Sequence, residues 1–169
     1  GCTRGCRFCQ ASMIYRPVRE RSREKIMQLA MDNLHNTGND ELSLLSLSTS
    51  DYSQFEELAN ELIPACKQEN VSLSLPSLRI DKFAFDVLNK IQEYRKSGLT
   101  YAPEAGTQRL RDVINKNLTE DEILSTCANA FSGGWNNVKL YFMLGLPTET
   151  DEDVLGIAEL VYKIIKCWQ

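Results

Sequence analysis

The chain has 169 residues, 43% of them hydrophobic and 25% charged, and its formal net charge is −4 at pH 7. This length suits a single domain that can bury a core without disulfide bonds. The longest nearly unbroken apolar run, Leu140–Leu146, is far shorter than the ~20 residues that span a bilayer, which excludes a transmembrane helix. The mild acidity argues against nucleic acid as the dominant electrostatic partner, although a local basic patch would still permit such binding.

The start of the chain is unusual. The sequence opens at Gly1, with no initiator methionine and no charged-then-apolar secretory leader. We therefore expect an excised piece of a longer cytoplasmic protein, forming one partial domain over residues 1–169.

Strand and helix signals alternate along the chain. Strand-like stretches begin near Leu42, Val71, Leu99 and Val138, at intervals close to the roughly 30 residues of one βαβ unit. Between them, apolar residues at three-to-four spacing predict helices, and capping boxes at Ser53 and Thr119 mark helix starts. The apolar stripes fall in residues 26–34, 55–63, 83–91, 110–114 and 154–168.

The strands also indicate which kind of parallel sheet they form. Val71, Leu73 and Leu75 alternate with serines, and the segment that begins at Val138 alternates similarly. A sheet covered on both faces has near-continuous apolar strands, whereas here one face is apolar and the other polar. The pattern predicts an α/β fold, a partial TIM-like (βα) barrel of about four parallel strands with a ligand-holding lumen.

Three of the six cysteines fall close together, as Cys2, Cys6 and Cys9. The spacing Cys-x3-Cys-x2-Cys, on a loop with Gly5, lets three thiolates converge on one metal cluster. Iron–sulfur clusters that only carry electrons usually have four cysteine ligands. Three ligands would leave one iron open, as catalytic zinc sites leave a fourth position open. The pattern therefore predicts these three cysteines as metal ligands.

Other interpretations of the cysteines stay open. A disulfide among the three would leave an odd thiol, and nothing else suggests a secreted chain. A zinc-binding or non-catalytic module could combine them with the only histidine, His35, although zinc pairs usually come with a second pair. The other cysteines are predicted to be small buried core residues, namely Cys66, Cys127 and Cys167.

The residues around the cysteines resemble a known family. Cys2-x3-Cys6-x2-Cys9, with aromatic Phe8 just before the third cysteine, resembles the signature of the radical S-adenosylmethionine (SAM) superfamily. Residues 1–11, followed by residues 15–21, are similar to its uncharacterised, cobalamin-domain-associated "Fe–S oxidoreductase" branch. The resemblance covers nearly the whole chain and predicts a radical SAM core.

This resemblance implies a [4Fe–4S] cluster whose open iron is chelated by the amino and carboxylate groups of SAM. Reduction of the cluster, by an electron donor such as flavodoxin or ferredoxin, drives cleavage of SAM to methionine and a 5′-deoxyadenosyl radical. That radical abstracts a hydrogen atom from the substrate. Cobalamin, bound by a domain outside this chain, is a further implied cofactor. The resemblance names no substrate, because radical SAM cores run many reactions on similar scaffolds.

The resemblance also assigns positions that contact SAM. Ser48, Thr49 and Ser50, with Asp51 as the acid, stand where many relatives carry a Gly-Gly-Glu-like turn that meets the SAM amino group. The alternative for this segment is a polar strand end that caps the next helix. Phe8 is placed near adenine in relatives.

Two later strands end in further candidates. Arg79 and Asp81 follow the serine-alternating strand, either as lumen-facing ligand groups or as a surface ion pair. Period-two geometry puts Thr100, Ala102 and Glu104 on one face. Glu104 then stands at the carboxyl end of a strand, where barrel enzymes keep their sites.

By resemblance, Glu104 approaches the ribose or methionine end of SAM, and Arg109 in the following helix meets the SAM carboxylate. The alternative for Glu104 is an acid at a helix N-terminus, which the macrodipole favours. Residues 141–150 resemble the family's Gly-x-Pro-x-Glu-Thr turn, in which Gly145 and Pro147 lie near adenine. Thr150 also suits a helix cap.

Missing strands lead to the last expectation. The first barrel strand, which should precede Cys2, and strands beyond Trp168 are expected to be absent from the chain. We therefore expect the cysteine loop to be poorly anchored and the isolated fragment to be inactive.

Overall fold

The structure is a computed structural model that describes residues 1–75 and 99–168. Over this part of the chain, helices and short strands alternate as the sequence predicts. The predicted helix at 83–91 and the candidates Arg79 and Asp81 lie outside the described residues. The described elements are α1 (Ala11–Ile14), α2 (Arg23–Thr37), β1 (Glu41–Ser43), α3 (Phe55–Gln68), β2 (Ser72–Ser74), β3 (Leu99–Glu104), α4 (Gln108–Val113), α5 (Glu120–Ser132), β4 (Val138–Phe142) and α6 (Asp151–Lys166).

The four described strands form two parallel pairs. β1 pairs with β2, with Leu42 opposite Leu73, and β3 pairs with β4, with Tyr101 opposite Leu140. Parallel neighbours require a crossover connection, which α3 supplies for the first pair and α4 with α5 for the second. Within the described residues, no helix is both long and apolar enough to cross a membrane.

β3 has one buried face and one more open face. Leu99, Tyr101 and Pro103 are buried, whereas Thr100 is exposed and Glu104 is half-buried. This alternation confirms the predicted two-faced strand. It places Glu104 on the more open face, at the carboxyl end of β3.

Apolar cores hold the helices against the strands. The buried face of β3 packs against α5 and α6, while α2 and α3 cover β1 and β2. Burial of these side chains, at roughly 25 cal/mol per Å² of apolar surface, is the main stabilising contribution. The largest of these cores in the described residues comprises Leu99, Tyr101, Leu118, Ile123, Cys127, Ala130, Trp135, Leu160 and Ile164, and a second comprises Ala30, Leu34, Leu42, Leu62, Cys66 and Val71.

One of the two predicted capping boxes forms. Thr119 Oγ1 accepts the Glu122 N–H at 3.2 Å, and Glu122 Oε2 accepts the Thr119 N–H at 2.7 Å. The box at Ser53 is wrong, because the Ser53 N–H and hydroxyl both donate to the carboxylate of Glu20. α3 therefore begins at Phe55 without a side-chain cap.

The polar alternation of the first strand pair is only partly realised. The strand-like stretch predicted from Leu42 is shorter in the structure, because β1 ends at Ser43. Leu45, which follows this strand, is 87% exposed. Ser72 of β2 is buried, and its hydroxyl donates to the Asp40 carbonyl at 3.1 Å. The serine face of β2 is therefore not uniformly open, since a local backbone acceptor satisfies this side chain.

The three cysteines outside the loop differ in their burial. Cys66 and Cys127 are buried as predicted, whereas Cys167 is exposed. The prediction for Cys167 is wrong because it caps α6 beyond Ile164, the last residue of that helix in the core.

Candidate functional site

The three clustered cysteines lie on one short loop ahead of α1. Cys2, Cys6 and Cys9 are all half-buried and none is in a disulfide bond, so the disulfide alternative is not formed. The Cys9 N–H donates to the Cys6 carbonyl at 3.0 Å and closes a tight turn between these two residues.

The cysteine loop is anchored by hydrogen bonds from a distant part of the chain. The Arg7 N–H donates to the Ile114 carbonyl at 2.8 Å, and the Asn115 amide donates to the Gly5 carbonyl at 2.8 Å. The Arg7 guanidinium also donates to the Val113 carbonyl at 2.5 Å. The expectation of a poorly anchored loop is therefore wrong, because the last residue of α4 and the two residues after it hold the loop.

A second anchor joins the loop to the turn after β1. Arg4 pairs with Asp51, which in turn accepts a hydrogen bond from the Ser48 hydroxyl. Thr49 and Ser50, which lie between Ser48 and Asp51 in this turn, are buried. The structure thus brings the predicted Ser48–Asp51 segment against the cysteine loop.

A cleft of about 630 Å³ opens beside the loop. Its volume lies within the range of small-molecule sites. Cys2, Ser48, Thr49 and Asp51 are among the residues that line it. Other predicted SAM contacts are not among the described residues that line the cleft: Phe8, Ser50, Glu104, Arg109, Gly145 and Pro147.

Glu104 is connected to the cysteine loop through Lys116. Lys116 Nζ is 3.0 Å from Glu104 Oε1 and 5.9 Å from the ring centroid of Phe8. The backbone of Glu104 has φ +69°, a left-handed conformation that costs a non-glycine residue on the order of 1 kcal/mol. One lysine therefore connects two of the predicted SAM contacts, Phe8 and Glu104.

Arg109 lies against the turn that follows β4. Its guanidinium donates to the Thr148 carbonyl at 2.8 Å and pairs with the Asp153 carboxylate. The turn itself is closed by Glu149, whose Oε1 accepts the Gly145 N–H at 2.9 Å, and Gly145 has φ +78°. Arg109 and the predicted Gly145–Pro147 turn are therefore brought together.

Asp153 is a buried hydrogen-bond centre at the start of α6. Its carboxylate accepts from the Arg109 guanidinium, the Thr107 hydroxyl, and the Thr150 N–H and hydroxyl, the last two at 2.9 and 3.0 Å. The Arg109 hydrogen bond, then that of Thr107, holds the pKa of Asp153 below its ordinary value, although burial opposes this shift. Asp153 thus ties the β3–α4 turn to the β4–α6 turn.

Replacement Asp153→Asn should remove an acid-sensitive part of the stability. Because the pKa is lower in the folded state, the carboxylate stabilises the fold fully above the ordinary value of 3.8, and this stabilisation is lost as the pH falls below it. We expect the variant to have a lower urea midpoint at about pH 7 and a smaller further loss at about pH 3. Equal pH dependence in the variant and the parent chain would contradict this role.

The thiols form a donor set that fits an iron–sulfur cluster, because cysteine thiolates are the usual ligands of such clusters. Among the described residues, no three histidine, cysteine, aspartate or glutamate side chains are close enough together to hold a single metal ion. His35 lies in the last turn of α2, with Nε2 3.7 Å from Glu69 Oε1. The zinc alternative requires His35 to lie beside the cysteines, and the described structure does not bring this histidine to them.

Several residues of this region had no assigned role in the sequence. Arg4, Lys116 and Asp153 make the long-range contacts described above. Asn115 and Asn117 have positive φ angles of 54° and 49°, and the spacing of two asparagines would have indicated a tight turn. A Thr-x-x-Asp spacing would likewise have indicated Asp153 as a capping acid.

Comparison with known proteins gives consistent results. The model of the radical SAM superfamily matches residues 1–161. Two proteins of Methanocaldococcus jannaschii are similar: Uncharacterized protein MJ0966 is 39% identical over 166 residues, and Uncharacterized protein MJ1620 is 23% identical over 177 residues. These matches cover 98% and 95% of this chain but only 36% and 34% of the relatives.

A solved structure is also similar. Coproporphyrinogen III oxidase (HemN) from Escherichia coli, described as a radical SAM enzyme, matches with a TM-score of 0.66 and 15% identity. The match covers 96% of this chain and 39% of that enzyme chain.

These findings define the class of protein. The architecture is α/β, with parallel strands that form a partial TIM-like (βα) barrel, which confirms the predicted fold class. Because the family match extends over residues 1–161, this chain belongs to the radical SAM superfamily. Membership of the cobalamin-associated branch stays a prediction.

Proposed function

We propose that this chain binds a [4Fe–4S] cluster through Cys2, Cys6 and Cys9, and SAM beside it, as the catalytic core of a radical SAM enzyme. The observation that carries the proposal is the anchored loop of three half-buried thiols beside a cleft of small-molecule size. When bound, the cluster supplies a low-potential electron for reductive cleavage of SAM, which yields the radical that abstracts hydrogen from the substrate.

The turn after β1 is assigned to the amino group of SAM. Ser48, Thr49 and Ser50 are buried and two of them line the cleft. Because the Ser48 hydroxyl donates to Asp51, we assign binding to the backbone groups of this turn. Small residues suit that role, since they allow a ligand to approach the backbone.

The predicted contacts that do not line the cleft are assigned to the remainder of SAM. Lys116 fixes the carboxylate of Glu104 and lies over Phe8, which orients both. Arg109 is held by Asp153, yet its side chain is 49% exposed, so its guanidinium can also meet a carboxylate. The turn of Gly145 and Pro147 completes this group.

The cellular location, the electron donor and a second cofactor complete the proposal. We place the protein in the cytoplasm, where thiols stay reduced, and assign its electrons to a donor such as flavodoxin or ferredoxin. Cobalamin bound by a separate domain is part of the proposal, and "oxidoreductase" describes the electron uptake.

Anaerobic reconstitution of the full-length protein with iron and sulfide tests the proposal. We expect about four irons per chain, and formation of 5′-deoxyadenosine once SAM and reduced flavodoxin are added. Cys2→Ser, Cys6→Ser and Cys9→Ser should each lose most of the iron and all of the product. Cys167→Ser, which changes an exposed cysteine outside the loop, is the matched control and should retain both.

Two outcomes would contradict the proposal in different ways. Uptake of zinc without iron would favour the zinc-binding alternative. A stable cluster that gives no 5′-deoxyadenosine under strong reduction would leave a non-catalytic module. The 169-residue chain by itself is expected to give no product, which the same assay checks.

A further inference from the structure

Arg4 makes a two-point contact with Asp51. Its Nε is 3.0 Å from Asp51 Oδ2 and its Nη2 is 2.7 Å from Asp51 Oδ1. Such a bidentate pairing of two planar groups fixes direction as well as distance. The side chains are 22% and 8% exposed, so the pair is largely shielded from water, unlike the exposed pairs that contribute little.

This ion pair joins two segments that the proposed function uses together. Arg4 lies between Cys2 and Cys6, and Asp51 is 47 positions further along the chain, at the end of the SAM-binding turn. The Ser48 hydroxyl also donates to Asp51 Oδ2 at 2.7 Å. Asp51 therefore holds one arginine from the thiol loop and one serine from the turn.

The contacts of Asp51 change its assigned role. The resemblance assigns Asp51 as the acid of a turn that contacts SAM, yet both of its carboxylate oxygens are already engaged by Arg4 and Ser48. A carboxylate engaged in this way fixes the backbone around it. The Asp51 side chain then supports the turn, and we assign contact with the ligand to the backbone of Ser48–Ser50.

The anchors that come from the end of α4 and the residues after it make a different connection. Gly5 and Arg7 are bound by Asn115, Ile114 and Val113, which lie after β3 and far from the turn in sequence. Those contacts hold the loop in place, whereas Arg4 relates it to the turn that binds SAM.

We propose that Arg4 and Asp51 are positioning residues that set the distance between the thiol loop and the SAM-binding turn. The inference rests on the proposed function. Without the pair, the loop and the turn can shift independently, so that retention of the cluster and binding of SAM weaken together. A merely structural ion pair would alter neither.

Four variants of the reconstituted full-length protein test the inference: Arg4→Gln, Asp51→Asn, the double variant and Arg4→Lys. The first readout is the rate at which a chelator removes iron in the absence of SAM, and the second is the Kd for SAM. We expect Arg4→Gln and Asp51→Asn each to raise the rate of iron removal and the Kd for SAM by about tenfold, as loss of a hydrogen bond to a charged group implies. The double variant should be no worse than either, because the two residues act as one unit.

Matched variants keep the test specific. Arg4→Lys retains the charge but not the bidentate geometry, so we expect an intermediate effect. Lys166→Gln removes the charge of an exposed lysine in the last turn of α6 that is not among the residues lining the cleft, and it should behave as the parent protein. Circular dichroism of each variant checks that the fold is retained.

The outcomes separate the two proposals. If the parent protein takes up no iron, the proposed function is wrong and the inference is overturned with it. If the parent protein binds iron and SAM while Arg4→Gln and Asp51→Asn match it in both readouts, the inference alone is overturned. Additive losses in the double variant would also overturn it, since they would show two independent roles.

Discussion

Replacement of Arg111 by methionine is expected to lower the free energy of unfolding by about 3 kcal/mol. Arg111 is fully buried, at 0% exposure. Its Nε donates to the Leu118 carbonyl at 3.1 Å, and its Nη1 donates to the carbonyls of Ala105 and Gly106 at 3.0 and 3.1 Å. Methionine fills similar space but removes the side-chain donor of the Ala105 and Gly106 carbonyls, whereas the Leu118 carbonyl keeps the Gln108 amide at 3.3 Å. Each orphaned carbonyl costs roughly 1–3 kcal/mol.

The guanidinium is required here for its geometry. Burial lowers the pKa of Arg111, yet it stays protonated because an arginine pKa lies far above neutrality. Arg111→Lys retains the charge but offers three donors at one point, so it should recover only part of the loss. Urea unfolding of the metal-free protein measures these differences.

Arg19→Met is the matched control for this prediction. Arg19 is exposed, and such surface changes usually stay within about 0.5 kcal/mol. If Arg111→Met were as mild as Arg19→Met, the Ala105 and Gly106 carbonyls would have found other donors, and the role assigned to Arg111 would be wrong.

The second large effect is expected at Gly106, in the turn between β3 and α4. A Cβ at this position would lie 2.2 Å from the Ile157 nitrogen, 2.5 Å from the Gly156 carbonyl carbon and 2.8 Å from the Asp153 carbonyl oxygen. All three atoms belong to the backbone of α6, which cannot rotate away. Gly106→Ala should therefore cost about 3 kcal/mol, the upper end of overpacking penalties.

Two other glycines separate the possible causes of this effect. A Cβ at Gly38 meets nothing within 4 Å, and only its φ of +65° opposes alanine, which costs about 1 kcal/mol. A Cβ at Gly156 meets one atom closer than 3.4 Å, the Thr107 Cγ2 at 2.6 Å, and no backbone atom that close. Urea midpoints should therefore fall most for Gly106→Ala. A larger fall for Gly38→Ala would show that backbone strain, not contact with α6, dominates.

Much of the fold could be predicted because its signals are local. The alternation of Leu99, Tyr101 and Pro103 with more open residues follows from the two-residue period of a strand. The capping box at Thr119 is likewise set by neighbours in sequence. The box at Ser53 failed because Glu20, 33 residues earlier, competes for the same donors, and no local pattern encodes that competition.

In the candidate site, too, only the features that are local in sequence could be predicted. The three cysteines are close in sequence, so their spacing alone indicates a common ligand. Their supports are not local: Arg4 pairs with Asp51, and Lys116 joins Glu104 to Phe8. Such pairs depend on which strand ends and loops the topology brings together. Sequence reasoning therefore identified residues to which we assign chemistry but missed the charged residues that contact them.

The two-sided anchoring of the cysteine loop has a consequence for biogenesis. One anchor, Asp51, follows β1, and the others, Ile114 and Asn115, follow β3 and α4. The thiols reach their final arrangement only when both parallel pairs have formed. Metal binding at a site that folding creates draws on the folding free energy. Once the thiols hold iron as proposed, the iron content of a preparation measures the fraction of molecules that have matured, and misassembled molecules are those that stay colourless.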